Sequence, residues 1–155
     1  MGKRWVGIVI EVYSVWYLVN GSIKNVNLIM ISYKKLDVWI YSMEIVKQIY
    51  YLTMSYPEGE RYGLTPQTRR TAVSIPCNIA EGLGRKHKKD TVQFLQIAKG
   101  SAFELETLLN IAVTIGIITP DSYNQLHDIL ESNIKLITGF INYLNQKPST
   151  INHPP

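Results

Sequence analysis

The stretch LTPQTRRTAVSIPCNIAEGLGR, Leu64 to Arg85, decides how the chain folds. Leu64, Thr68, Ala72, Ile75, Ile79 and Leu83 step by 4, 4, 3, 4 and 4, the spacing of one face of an α-helix. Thr65-Pro66 is a start signal, with threonine as N-cap and proline at the first helical position, where its missing N–H costs nothing. Pro76 sits inside the pattern, removes one backbone hydrogen bond and crowds the previous turn, which predicts a kink near Thr71–Ala72. Gly82 and Gly84 then close the helix.

The same period extends in both directions. Upstream, Leu36, Trp39, Met43, Val46 and Tyr50 step by 3, 4, 3 and 4 and predict a helix from about Lys35 to Met54. Tyr56-Pro57-Glu58-Gly59-Glu60 ends it. Downstream, a helix is expected from about Asp90 to Ile115, with Asp90 near its positive end as cap or dipole partner and Gly116 as its C-terminal cap. Phe94, Ala98, Ala102, Leu105, Leu109 and Ala112 form its inner stripe, and Leu95, Leu108, Ile111 and Ile115 a second one. Gly100, Ser101 and Ala102 would let another helix approach closely at mid-height. Thr119-Pro120-Asp121 opens a last helix, carried by Leu126, Leu130, Asn133, Ile137, Phe140 and Leu144 to about Asn145. Four long helices with short joints predict an all-α fold, an antiparallel up-down-up-down four-helix bundle over residues 33–146. The polar, proline-rich tail 147–155 is expected to be flexible.

Residues 1–30 do not share this period. Lys3 and Arg4 before the apolar run Trp5–Val19 resemble the start of a signal peptide, but Glu11 interrupts the run and no small-x-small cleavage site follows. The run is short for a membrane span. Asn20-Gly21 between two β-prone runs, Trp5–Val19 and Ser22–Ile31, is a strong hairpin signal. A further reading makes Met30 the natural start and residues 1–29 upstream sequence translated from a wrong start.

A chain of 155 residues with 46% hydrophobic and 18% charged residues has the size and composition of one globular domain. The single cysteine, Cys77, rules out an intramolecular disulfide and a cysteine-cluster zinc site. It fits a reducing compartment, and the expected location is the cytoplasm, with no membrane association. The net charge of +4 is unevenly placed. Residues 61–99 hold eight basic side chains (Arg61, Arg69, Arg70, Arg85, Lys86, Lys88, Lys89, Lys99) against Glu81 and Asp90, a local +6, and the rest of the chain is acidic on balance. Such localisation bears on partner choice more than the total does.

The chemistry of sites is mostly excluded. A di-metal bundle needs Glu-x-x-His on two helices, and no glutamate here has a histidine three residues on. His87, His127 and His153 have no spaced partners and read as surface residues. Cys77 has no local histidine and reads as a buried or half-buried structural residue, not a nucleophile. Gly82-x-Gly84 lacks the spacing and the preceding strand of a phosphate loop and reads as a helix stop. No catalytic residue, metal site or cofactor is expected. Glu104 and Glu106 are candidates to pair with Arg69 or Arg70 across helices, and Glu81 with Arg85 at i+4. The concentrated cluster Arg85, Lys86, Lys88 and Lys89 suits phosphate oxygens, an acidic protein partner or a solvated loop.

Over about residues 33–145 the chain resembles the bacterial four helix bundle proteins known as S23 ribosomal or 23S rRNA intervening-sequence proteins. The resemblance is carried by Leu64-Thr65-x-Gln67, Arg69-Arg70, Ser74-Ile75-Pro76-x-Asn78-Ile79-Ala80-Glu81-Gly82 and Gly84-Arg85. It continues through Phe94-Leu95, Ala98-x-Gly100-Ser101 and Glu104-Leu105-Glu106-Thr107, and reaches back to Leu36-Asp37-Val38-Trp39 and Tyr56-Pro57. It implies an up-down bundle assembling as a homopentameric ring, and it leaves residues 1–30 outside the family's pattern. In such a ring the second stripe of the third helix would face a neighbouring subunit. A related branch, the accessory proteins of diversity-generating retroelements, partners a reverse transcriptase and binds nucleic acid. The expected function is therefore non-enzymatic binding of RNA or DNA through Arg69, Arg70, Arg85, Lys86, Lys88 and Lys89. The alternative is a protein–protein assembly or adaptor module, such as a reverse-transcriptase accessory factor.

Overall fold

Four α-helices form close to where the apolar period places them. The computed structural model describes residues 11–19, 22–30 and 33–146. The helices are α1 (Asp37–Leu52), α2 (Leu64–Leu83), α3 (Lys88–Thr114) and α4 (Pro120–Gln146). Single 3₁₀ turns flank α1 at Tyr33–Lys35 and Thr53–Ser55, and another lies at Glu58–Glu60. The helix ends follow local chemistry. At the start of α2 the cap is supplied by the Glu60 carboxylate, which accepts from the Leu64 N–H at 2.8 Å. Thr65 is therefore inside the helix and not its cap, and Pro66 falls in the first turn, where its missing N–H leaves nothing unsatisfied. α2 runs unbroken through the buried Pro76. α3 ends in a Schellman arrangement: Gly116 takes φ +76°, its N–H donates to Val113 O at 3.0 Å, and Ile117 N–H donates to Ala112 O at 2.8 Å. Thr119 caps α4 by accepting from the Ser122 N–H at 3.2 Å.

The four helices close into an antiparallel bundle. α1 and α3 each pack on both α2 and α4. Pairs along the α2–α3 seam run in opposite directions: Gln67 and Thr71 meet Glu104, Ser74 meets Ser101, and Gly82 meets Thr91 and Phe94. On the α3–α4 seam Asn110 meets Tyr123 and Glu106 meets His127. α1 and α4 are tied by the buried Asn133, whose Nδ2 donates to Val38 O at 2.9 Å. The core is made of the expected positions of α2 and α4, with Ala72, Ile75, Ile79, Leu126, Leu130 and Ile137 buried.

Two stripes sit differently from their sequence reading. In α1 the buried face is Val38, Ser42, Ile45 and Ile49, whereas Met43 and Tyr50 are exposed. α1 is apolar almost all round, so two registers satisfy the period. Ser42 occupies a core position because its hydroxyl donates to Trp39 O at 2.7 Å. In α3, Leu95 belongs to the core, Leu108 is half-buried, and the exposed apolar residues are Ile97, Phe103 and Ile111, with Ile115 just past the helix. Of the three residues expected to allow close approach, Ser101 and Ala102 face the core, but Gly100 is exposed and a Cβ there would meet nothing within 4 Å. Cys77 is exposed, not buried, because it points away from the face formed by Ile75, Pro76 and Ile79.

The backbone of the N-terminal region pairs as an antiparallel hairpin, β1 (Glu11–Val19) with β2 (Ser22–Met30), Glu11 opposite Met30 and Val19 opposite Ser22. Its turn, Asn20-Gly21, lies outside the described residues, as do the tail 147–155 and His153. Among the described residues no helix is long and apolar enough to cross a membrane.

Gly82 marks a close approach of α2 to α3. A Cβ there would stand 2.8 Å from Phe94 Cβ and 3.1 Å from the Thr91 carbonyl oxygen. Gly82→Ala should therefore destabilise by about 1–2 kcal/mol, since overpacking exceeds the gain in helix propensity. Gly139 of α4 has open space around its Cα, so Gly139→Ala should stabilise by up to about 1 kcal/mol. Urea denaturation of both variants checks the opposite signs. Tyr56 gives a second test. Burial pushes its pKa up, against a weaker downward pull from the Thr68 hydroxyl. Thr68 gives its own proton to Leu64 O at 2.8 Å, and no hydrogen bond of good geometry reaches the Tyr56 oxygen. A raised acid favours the folded state below its unfolded pKa of about 10, and that contribution is lost as pH climbs through the folded value. Tyr56→Phe should flatten the loss of stability above about pH 10 and change little at neutral pH.

Candidate nucleic-acid interface

The six predicted cationic residues do not form one patch. Arg69 and Arg70 lie near the start of α2, and Arg85, Lys86, Lys88 and Lys89 lie at the α2–α3 turn. From Arg70 to the end of α2 is about 20 Å along the helix axis at 1.5 Å per residue. The protein thus has two separate cationic regions at opposite ends of α2.

The first is an open groove of about 550 Å³ between the end of α1 and the first half of α2. Its charged residues are Arg61, Arg69 and Arg70, and Tyr50, Thr65 and Ser74 contribute the other polar atoms. No carboxylate lines it. Arg69 is held in place from two sides. Its Nε donates to the buried Thr53 Oγ1 at 2.7 Å, and its guanidinium lies over the Tyr50 ring at 5.0 Å. Thr53 can accept this bond because its own proton goes to Ile49 O at 2.7 Å. Arg70 Nη2 donates to Gln67 Oε1 at 2.8 Å, and Gln67 Nε2 donates onward to Glu104 at 2.8 Å. Arg61 pairs with Glu58 at 3.0 Å, but both side chains are well exposed, so this pair adds little and exchanges readily with solvent.

The expected ion pairs between these arginines and Glu104 or Glu106 are absent. Glu104 is already occupied by Gln67 and by the Thr71 hydroxyl at 3.0 Å. Glu106 faces α4 and sits 3.2 Å from His127 Nδ1, with the Tyr123 ring stacked on the imidazole. His127 is accordingly half-buried and partnered, unlike the exposed His87. Among the described residues neither Arg69 nor Arg70 has a carboxylate partner. Arg69 is anchored on the buried Thr53, and the exposed Arg70 is linked to Glu104 only through Gln67.

The second region keeps less free charge than its composition suggests. Arg85 pairs with Glu81, as the i+4 spacing predicts, and lies over the Phe94 ring at 4.7 Å. Lys86 and Lys89 are exposed and Lys88 is half-buried. Gly84 caps the end of α2, in keeping with the helix-stop reading, and Gly82 lies within the last turn. Among the described residues no group of three or more His, Cys, Asp or Glu side chains could hold a metal ion. The sequence reading missed Tyr50 as a groove residue because it assigned that side chain to the core. Arg61 was visible only as part of the local charge.

The fold and this groove define a four-helix-bundle protein with a preorganised cationic cleft at one end. The chain belongs to the 23S rRNA-intervening sequence protein family, whose model matches residues 34–139. Among solved structures it is similar to a protein of unknown function from the S23 ribosomal protein family of Bacteroides thetaiotaomicron VPI-5482. The two share 26% identity and a TM-score of 0.63 over 67% of this chain and 97% of that one. None of the curated proteins matches the chain.

The anchor on Arg69 is testable without touching the arginine. Thr53→Val removes the acceptor and should cost about 1–2 kcal/mol of stability, whereas Thr53→Ser keeps the hydroxyl and should cost less. Equal urea midpoints for the two variants would show that the hydrogen bond contributes nothing.

Proposed function

We propose that this protein is a non-enzymatic, homo-oligomeric bundle that binds RNA or DNA through its basic surface. The observation that carries the reading is the groove lined by Arg61, Arg69 and Arg70 and by no carboxylate, with Arg69 anchored on Thr53. Holding a guanidinium in place before the ligand arrives lowers the ordering cost of binding. Phosphate oxygens are acceptors that the donors left on these guanidinium groups fit well. Arg85, Lys86, Lys88 and Lys89 extend the positive field to the other end of α2, and repetition around a homopentamer multiplies it. Membership of a family named for sequences within 23S rRNA is compatible with this reading.

A second reading, an assembly or adaptor module with a protein partner such as a reverse transcriptase, is favoured by a different feature. Ile97, Phe103 and Ile111 on α3 and the adjoining Ile115 are 42–57% exposed, a level of apolar exposure suited to contact with another chain.

Salt separates the two. If phosphates are the ligand, log affinity for RNA falls linearly with log salt concentration, and Arg70→Gln lowers the slope by about 0.7–0.9 per contact removed. Absence of binding even at low salt would overturn the nucleic-acid reading. Native mass spectrometry tests the assembly: five subunits are expected, and a monomer contradicts the ring.

A further inference from the structure

We infer that the groove between α1 and α2 is a site for unpaired, single-stranded nucleic acid, with a base stacked on Tyr50 and its phosphate held by Arg69 and Arg70. The inference rests on the nucleic-acid reading and specifies which form of the polymer the groove selects. Three observations carry it. First, the arginines at this end of the bundle are interleaved with aromatic rings that reach solvent. Tyr50 is 46% exposed beneath Arg69, and Tyr62 is 88% exposed beneath Arg61, at 5.6 Å. An exposed ring–guanidinium pair is a stacking platform for a base in an electropositive setting, the combination that single-strand binders use. Second, the groove's volume of about 550 Å³ lies in the range of small-ligand clefts. It is large enough for a nucleotide unit. A base in a duplex is already stacked on its neighbours and cannot reach Tyr50 without being unpaired. Third, Arg69 uses only Nε for its Thr53 anchor, so its two Nη groups have no protein acceptor among the described residues and remain for phosphate.

The turn region differs in kind. There the ring of Phe94 is half-buried, unlike that of Tyr50, and the remaining contribution comes from lysines. Lysine ammonium groups attract any polyphosphate backbone, paired or not. The α1–α2 groove therefore supplies the preference for single strands, and the turn supplies attraction without that preference.

Fluorescence anisotropy of the full chain with labelled strands of about 12 nucleotides tests this. RNA and DNA are each presented single-stranded and as a perfect duplex. The wild type should bind the single strands about tenfold tighter or more than the duplexes. Tyr50→Leu and Tyr62→Leu should each weaken single-strand binding several-fold and leave duplex binding unchanged, whereas Tyr50→Trp should retain it. Lys86→Ala with Lys89→Ala should weaken both forms alike. Tyr62 is almost fully exposed, so its variant keeps the test valid if Tyr50→Leu perturbs Arg69. Equal affinity for single strands and duplexes, or tyrosine variants indistinguishable from wild type, overturns the single-strand assignment and leaves the broader nucleic-acid reading standing. No binding of either form at low salt overturns both.

Discussion

The close approach of α2 and α3 is the constraint on which the rest of the molecule depends. It is set by what is missing at Gly82, where any side chain would run into Phe94 Cβ and the Thr91 carbonyl. Small buried residues continue the seam, Ala72 on α2 and Ala98, Ser101 and Ala102 on α3. Backbones this near bring short polar side chains within reach of one another. Ser74 and Ser101 share a hydrogen bond at 2.9 Å, and Asn78 Nδ2 adds a further one to Ser74 Oγ at 3.0 Å. Such a seam tolerates small residues and rejects large ones, because packed interiors respond to volume changes of a single methylene.

The same seam decides the electrostatics of the groove. It delivers Glu104 to Gln67 and Thr71, both on α2, so Glu104 reaches Arg70 through Gln67 and not by a direct ion pair. Gln67 stands between them and passes a neutral hydrogen bond in each direction. Arg69 is turned the other way, onto Tyr50 and Thr53 at the end of α1. The two arginines are therefore fixed by neutral partners. Neutral anchoring orients a guanidinium and leaves its charge available, whereas a carboxylate would have consumed it.

Much of this was legible in the sequence, and the failures have physical causes. α2 and α4 alternate apolar and polar residues sharply, so their buried faces follow directly from the period. α1 carries apolar residues on nearly every side, and a core serine satisfied by its own helix looks like a surface residue. That ambiguity rotated the expected stripe and placed Tyr50 inside, hiding the residue that stacks on Arg69. The arginine–glutamate pairing failed for another reason. Charge complementarity names plausible partners, but a glutamine at position 67 competes through geometry that only the folded seam reveals. Adjacency in sequence also suggested one cationic surface, and the length of α2 separates it into two regions of different composition. The helix caps were read correctly wherever a side chain adjoining the first turn supplies the acceptor, as Thr119 does. The cap of α2 was missed because Glu60 reaches in from a separate 3₁₀ turn.

The central claim is that Arg69 and Arg70 are held ready for phosphate at the mouth of the α1–α2 groove. A crystal structure of the protein with a bound single-stranded oligonucleotide tests it most directly. The expected result is a phosphate within hydrogen-bond distance of the Arg69 Nη groups and of Arg70, with a base against Tyr50 and the Arg69–Thr53 bond intact. An oligonucleotide bound elsewhere, with the groove left to solvent, would contradict it.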